Sequence, residues 1–170
     1  GAVDNISFLP IHVDDTPGIS VQQIKAKARN LNRQGKCGIV LIDYLQLIDM
    51  RSANKAYNRE QEVSQCSRAA KIMAKELGVP VILLSQLSRK VEERADKMPL
   101  LSDLRESGAI EQDADIVMFI HRPEYYDKNA EKGYGELRIA KQRDGATGDI
   151  RFRYNENLTK ISDYEQQMPF

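Results

Sequence analysis

The sequence predicts an α/β fold, a mainly parallel central sheet flanked by helices with an antiparallel hairpin toward the C-terminus. Two observations carry this. Short aliphatic runs such as Val40-Leu41-Ile42 and Val81-Ile82-Leu83-Leu84 alternate with amphipathic helical stretches, the pattern of βαβ units. Later the hydrophobic period changes to two, in a pair of segments separated by a turn rich in Gly and Asp. The 170 residues suffice for one domain with an adequate core, and no second domain is visible in the pattern.

Leu9-Pro10-Ile11-His12-Val13 reads as a short first strand, closed by the turn-forming Asp14-Asp15-Thr16-Pro17-Gly18. Ser20 and Gln23 form a capping box, and Val21, Ile24, Ala28 and Leu31 recur at helical spacing until Gly35 ends the helix. In Gly38-Ile39-Val40-Leu41-Ile42-Asp43, four consecutive aliphatic residues run into a carboxylate. Rich in β-branched residues and bounded by glycine, this run predicts a strand buried on both faces of a parallel sheet. Residues 50–58 are polar and predict a loop. The next helix starts near Arg59, with Val63, Cys66, Ala70, Met73 and Leu77 on one face, and Gly78 and Pro80 stop it. Val81 to Leu84 predicts a second buried strand, ending in Ser85-Gln86.

From Gln86 to Pro99 the chain is dominated by charge and has almost nothing apolar to bury, which predicts a mobile surface loop or a frayed helix end. Asp115-Ile116-Val117-Met118-Phe119-Ile120 predicts a third core strand. Leu137 and Ile139, then Ile150, Phe152 and Tyr154, mark the two arms of the hairpin, and a last short strand is expected near 158–161.

The charges balance, 25 basic against 25 acidic side chains, so any contact with nucleic acid has to use a local basic cluster. Two cysteines, Cys37 and Cys66, without a signal-peptide pattern predict a reduced, cytoplasmic protein. Neither they nor His12 and His121 have zinc-ligand spacing.

Three constellations can carry chemistry. Asp43 ends a predicted central strand, and ligands of open α/β sheets bind at the carboxyl ends of the strands. A carboxylate there suits a Mg²⁺ ion and its waters beside a nucleotide phosphate, or simply caps a turn. Gln86 ends the next strand, and its amide offers both a donor and an acceptor to a γ-phosphate or an attacking water. Arg105 lies in a polar turn beside Gly108, where a guanidinium and backbone N–H groups can grip phosphate, although the surrounding acids fit a solvated turn equally well. Lys141 and Arg143, two apart, are expected on one face of a strand, projecting from the hairpin tip as an arginine finger requires or as a solvated basic hairpin.

Taken in order, these segments resemble the C-terminal motor domain of replicative DNA helicases of the DnaB family. Leu41-Ile42-Asp43-Tyr44-Leu45-Gln46-Leu47 is similar to its Walker B motif, and Leu84-Ser85-Gln86-Leu87-Ser88-Arg89 to the γ-phosphate-sensing motif. Residues 102–115 resemble the fourth motif and Lys141-Gln142-Arg143-Asp144-Gly145 the arginine-finger hairpin. The resemblance runs from about Pro10 to Tyr164. It implies a RecA-like fold and an ATP-driven homohexameric ring that translocates on single-stranded DNA, with primase and a helicase loader as partners. ATP and Mg²⁺ are the implied cofactors. Asp43 would hold Mg²⁺ through water, and Gln86 would sense the γ-phosphate. Lys141 and Arg143 would reach the nucleotide of the adjacent subunit. Arg105, Glu106 and Gly108 would line the pore and meet the DNA backbone.

The chain departs from that pattern in one large respect: no G-x-x-x-x-G-K-[ST] occurs in it. The family's catalytic glutamate and its N-terminal domain are also expected elsewhere. The reading is therefore a C-terminal portion, residues 1–170, of a longer helicase, with an incomplete core and no ATPase activity of its own. The alternatives are another RecA-fold DNA-dependent ATPase, from repair or a phage, and a non-enzymatic RecA-like assembly module.

Overall fold

The computed structural model describes residues 9–49, 59–104 and 108–164. The chain divides into two compact units, Gly1–Gln86 and Leu87–Phe170.

In the first unit, helix α1 (Val21–Arg33) starts where the sequence places it. Ser20 accepts from the Gln23 N–H (3.3 Å), and the Gln23 side chain accepts from the Ser20 N–H (2.9 Å). This reciprocal cap satisfies two otherwise orphaned donors. Strand β1 (Val40–Ile42) runs parallel to β2 (Val81–Leu83), with Val40 opposite Val81 and Ile42 opposite Leu83. Helix α2 (Arg59–Leu77) crosses between them and buries Val63, Cys66, Ala70, Met73 and Leu77, the face read from its periodicity. Gly78, at φ +66°, ends it in the left-handed region that a side chain would resist. Asn32 of α1 donates to the Leu77 carbonyl (3.0 Å), and Lys25 and Arg29 both pair with Glu76, so the two helices are joined along their length. The core of the unit centres on Leu45 and Met73, neither with any exposed surface.

Two expectations fail here. Residues 9–13 form no strand: they are exposed, and the Ile11 N–H turns back onto the Leu9 carbonyl (2.7 Å). Pro10 also removes one ladder donor from so short a run. Nor are β1 and β2 buried on both faces. Ile42 is buried, whereas Leu41, Ile82 and Leu84 are 63%, 39% and 42% exposed. Within this unit the helices cover one face of the strand pair, and the aliphatic side chains on the other stay open.

In the second unit the charged stretch after Gln86 is organised, not a loose loop. A 3-10 turn (Arg89–Glu93) is capped by Ser88, and Val91 and Met98 are buried beneath it. Arg94 grips both carboxylate oxygens of Asp103 at 2.8 Å and donates to the Met98 carbonyl (2.8 Å). Asp103 also accepts from the Leu100 N–H (2.8 Å). A buried carboxylate satisfied by a bidentate guanidinium and a backbone N–H closes the segment with few apolar contacts. A count of apolar residues overlooks that kind of order.

After helix α3 (Gly108–Asp113) comes an antiparallel sheet of β3 (Ile116–His121), β4 (Tyr134–Gln142), β5 (Gly148–Asn155) and β6 (Lys160–Asp163), paired in that order. The hairpin is β4–β5, with Leu137 opposite Ile150, and β6 supplies the expected last strand. The third core strand differs from expectation, since β3 pairs antiparallel with β4 and buries only alternate residues, Val117, Phe119 and His121. Parallel pairing among the described residues is confined to β1 and β2.

Candidate functional site

Because β1 and β2 are parallel neighbours in register, their carboxyl ends arrive together. The ladder continues past both strands: the Leu84 N–H donates to the Ile42 carbonyl (3.0 Å), and the Leu45 N–H to the Leu84 carbonyl (2.9 Å). Asp43 and Ser85-Gln86 therefore leave the same edge of the pair, the juxtaposition on which the nucleotide-site expectation depends. Asp43 is exposed, and no hydrogen bond or ion pair engages its carboxylate among the described residues. Gln86 is exposed too. Its backbone is held, while its side-chain amide has no partner among the described residues. Two functional groups are thus offered to solvent by a backbone that is itself tied down.

The donor chemistry at this edge fits Mg²⁺. Magnesium keeps most of its waters and takes one or two carboxylates plus substrate phosphates, so a lone exposed aspartate suffices. Among the described residues there is no cluster of three or more His, Cys, Asp or Glu that could hold a metal unaided.

Gln46 is a residue that sequence reasoning does not single out. It lies in the 3-10 turn Leu45–Leu47, and its side chain reaches across to β2's end. Its Nε2 donates to the Ser85 Oγ (3.2 Å), and its Oε1 accepts from the Gln86 N–H (3.2 Å). The one available signal is a single amide between Leu45 and Leu47 in an otherwise apolar run.

Lys141 and Arg143 belong to the second unit. They do not share a strand face pointing outward. Val117 faces Lys141 but Met118 faces Ile139, so Ala140 is an extra residue that shifts the register, and Arg143 lies beyond β4 in the turn. Both side chains fold onto the end of α3. Lys141 donates to the Glu111 carbonyl and Arg143 Nη2 to the Gln112 carbonyl (2.9 Å), with Arg143 Nε 3.7 Å from Asp115. These are among the last carbonyls of a helix, which have no partner within the helix itself. Gly108 opens α3, as the sequence suggests, whereas Arg105 and Glu106 lie outside the described residues.

Comparison with solved structures defines the class first. The fold matches a solved helicase-type ATPase domain at a TM-score of 0.91 and 47% identity, covering 96% of this chain and 58% of that one. A DnaB-like replicative helicase, solved in a study of its interactions with primase, matches equally well over 39% of its length. The fold is RecA-like α/β. The chain belongs to the DnaB-like helicase C-terminal domain family, whose model matches residues 1–163. Among curated relatives, the replicative DNA helicase DnaC of Bacillus subtilis is 51% identical over 98% of this chain, and DnaB of Geobacillus stearothermophilus 49%. The chain spans 37% of the length of each.

Proposed function

We propose that the protein containing this chain is an ATP-dependent replicative DNA helicase, and that this segment supplies half of its nucleotide site. The observation that carries the reading is the paired edge: Asp43 and Gln86 presented together, their side chains unengaged among the described residues, in a member of the DnaB-like helicase C-terminal family.

When bound, Mg²⁺ would neutralise phosphate charge, and Asp43 would hold it through water. Gln86 would contact the γ-phosphate, its amide donating to an oxygen or orienting the attacking water. Lys141 and Arg143 would serve the nucleotide of an adjacent copy. That role requires them to leave the α3 carbonyls, and both are long enough to exchange those neutral acceptors for phosphate oxygens, which bind a cation more strongly. Arg105, Glu106 and Gly108 would meet single-stranded DNA through its backbone, without sequence preference. The same reading makes the protein a cytoplasmic homohexamer with primase and a loader as partners. A ring concentrates one short basic loop per subunit in a channel, so a neutral chain can still bind DNA.

The test is Arg143→Ala in the complete protein. ATP turnover is expected to fall by about a thousandfold or more, the scale of an arginine finger, with nucleotide binding largely retained. Unchanged turnover would remove Arg143 from the catalytic set.

A further inference from the structure

Gln86 can act on a phosphate only if its backbone is held in one place, because an amide at the end of a flexible loop loses orientation that a hydrogen bond depends on. The β1–β2 ladder does not reach it: the last backbone bond on this edge is Leu45 N–H to the Leu84 carbonyl. Beyond that point the contact continues through one side chain. Gln46 spans the gap, donating to Ser85 and accepting from the Gln86 N–H, both at 3.2 Å. Its own position is fixed from both sides. Leu45 is fully buried, Ile48 is 5% exposed, and the 3-10 turn between them leaves Gln46 little freedom. The Gln86 N–H can only donate, so the amide atom facing it must be the oxygen, and the nitrogen is left for the Ser85 hydroxyl.

We infer that Gln46 is a positioning residue for the reaction: it fixes the Gln86 backbone from the Asp43 side of the site, so that the metal-holding and phosphate-sensing segments move as one piece. The inference rests on the reading of Gln86 as the γ-phosphate sensor. The chemistry of the bridge is demanding. Methionine keeps the length and loses both bonds, and asparagine is one methylene short. Glutamate still accepts from the Gln86 N–H and can accept the Ser85 hydroxyl proton in place of donating to its oxygen.

The experiment uses the complete protein and reads the ratio of its affinities for MgATPγS and MgADP, which reports γ-phosphate recognition without requiring turnover. Gln86→Ala should lower the ratio about fivefold, the worth of one hydrogen bond, and Gln46→Met should lower it by a similar factor. The double variant should show no further loss, while Gln46→Glu should restore most of the ratio. An unchanged ratio in Gln46→Met, or a loss that simply multiplies with that of Gln86→Ala, would overturn the inference while leaving the sensor reading intact. If Gln86→Ala itself leaves the ratio unchanged, the sensor reading fails and takes this one with it. Should Gln46→Met not fold, Gln46→Asn supplies the same comparison.

Discussion

Two buried residues respond to their surroundings in ways that solution experiments can read. His121 sits beneath Tyr126, their rings stacked with centroids 5.8 Å apart. Burial pushes its imidazole below the usual 6.5, and only partly do Glu136 and Asp96 oppose that. The folded state therefore prefers neutral His121 more than the unfolded chain does. Its contribution to stability is complete above pH 6.5 and is lost as the pH falls through the depressed folded value. The melting temperature should drop between about pH 6.5 and about pH 5, and His121→Phe should flatten that part of the profile. A slope unaltered in the variant would assign the acid sensitivity elsewhere. Cys66 is the second case. Burial on α2 raises its thiol to about 11, slightly offset by Arg59, and the thiolate that reacts is therefore scarce at neutral pH. Iodoacetamide should label the half-buried Cys37 well before Cys66 in the native protein, with both labelled at one rate in denaturant; mass spectrometry of the peptides distinguishes them.

At the scale of elements, the hairpin shows how one missing side chain shapes a sheet. Gly135 faces Phe152 across β4 and β5, and a Cβ built on it would lie 2.3 Å from the aromatic ring. Phe152 lies over the glycine, so a side chain at 135 must displace it. Gly135→Val should destabilise the protein by about 1–3 kcal/mol, the usual cost of overpacking, and Phe152→Leu should recover part of the loss in the double variant. Thermal melting of the three variants checks this, and additive losses would show that the two residues do not compete for one space. The strands themselves were legible from alternation, because on a strand the period of two maps directly onto the two faces. The register was not. The extra residue at Ala140 carries no compositional mark, yet it separates Lys141 and Arg143 from the face that simple alternation assigns them.

For the molecule as a whole, the neutral charge and the absence of a phosphate-gripping lysine motif bear on what these 170 residues do alone. Asp43 and Gln86 can hold a metal and sense a phosphate, but nothing in the sequence wraps a triphosphate as a Walker A loop does. The purified 170-residue chain should hydrolyse ATP no faster than buffer, with or without single-stranded DNA, in a phosphate-release assay. Robust turnover would mean that the nucleotide site is complete within it. No helix among the described residues is long and apolar enough to cross a membrane. The exposed aliphatic residues of β1 and β2 explain why a run such as Val40-Leu41-Ile42 overstates burial when read from sequence. Hydrophobicity records which surfaces can be buried, whereas only the packed elements decide which ones are.

By itself the sequence determined both helix faces, the α1 cap, the two parallel strands, the hairpin and the chemical groups at their ends. All of these rest on local periodicity, capping or residue type, which act within a few positions along the chain. Tertiary structure alone decided that Asp43 and Gln86 share an edge, that Gln46 spans it, that Arg94 locks the charged segment onto Asp103, and that Lys141 and Arg143 rest on α3. The physical reason is common to all of these. Each depends on polar groups distant in sequence meeting at hydrogen-bond range, and a side chain's partner is set by where the backbone places it, which no local pattern encodes.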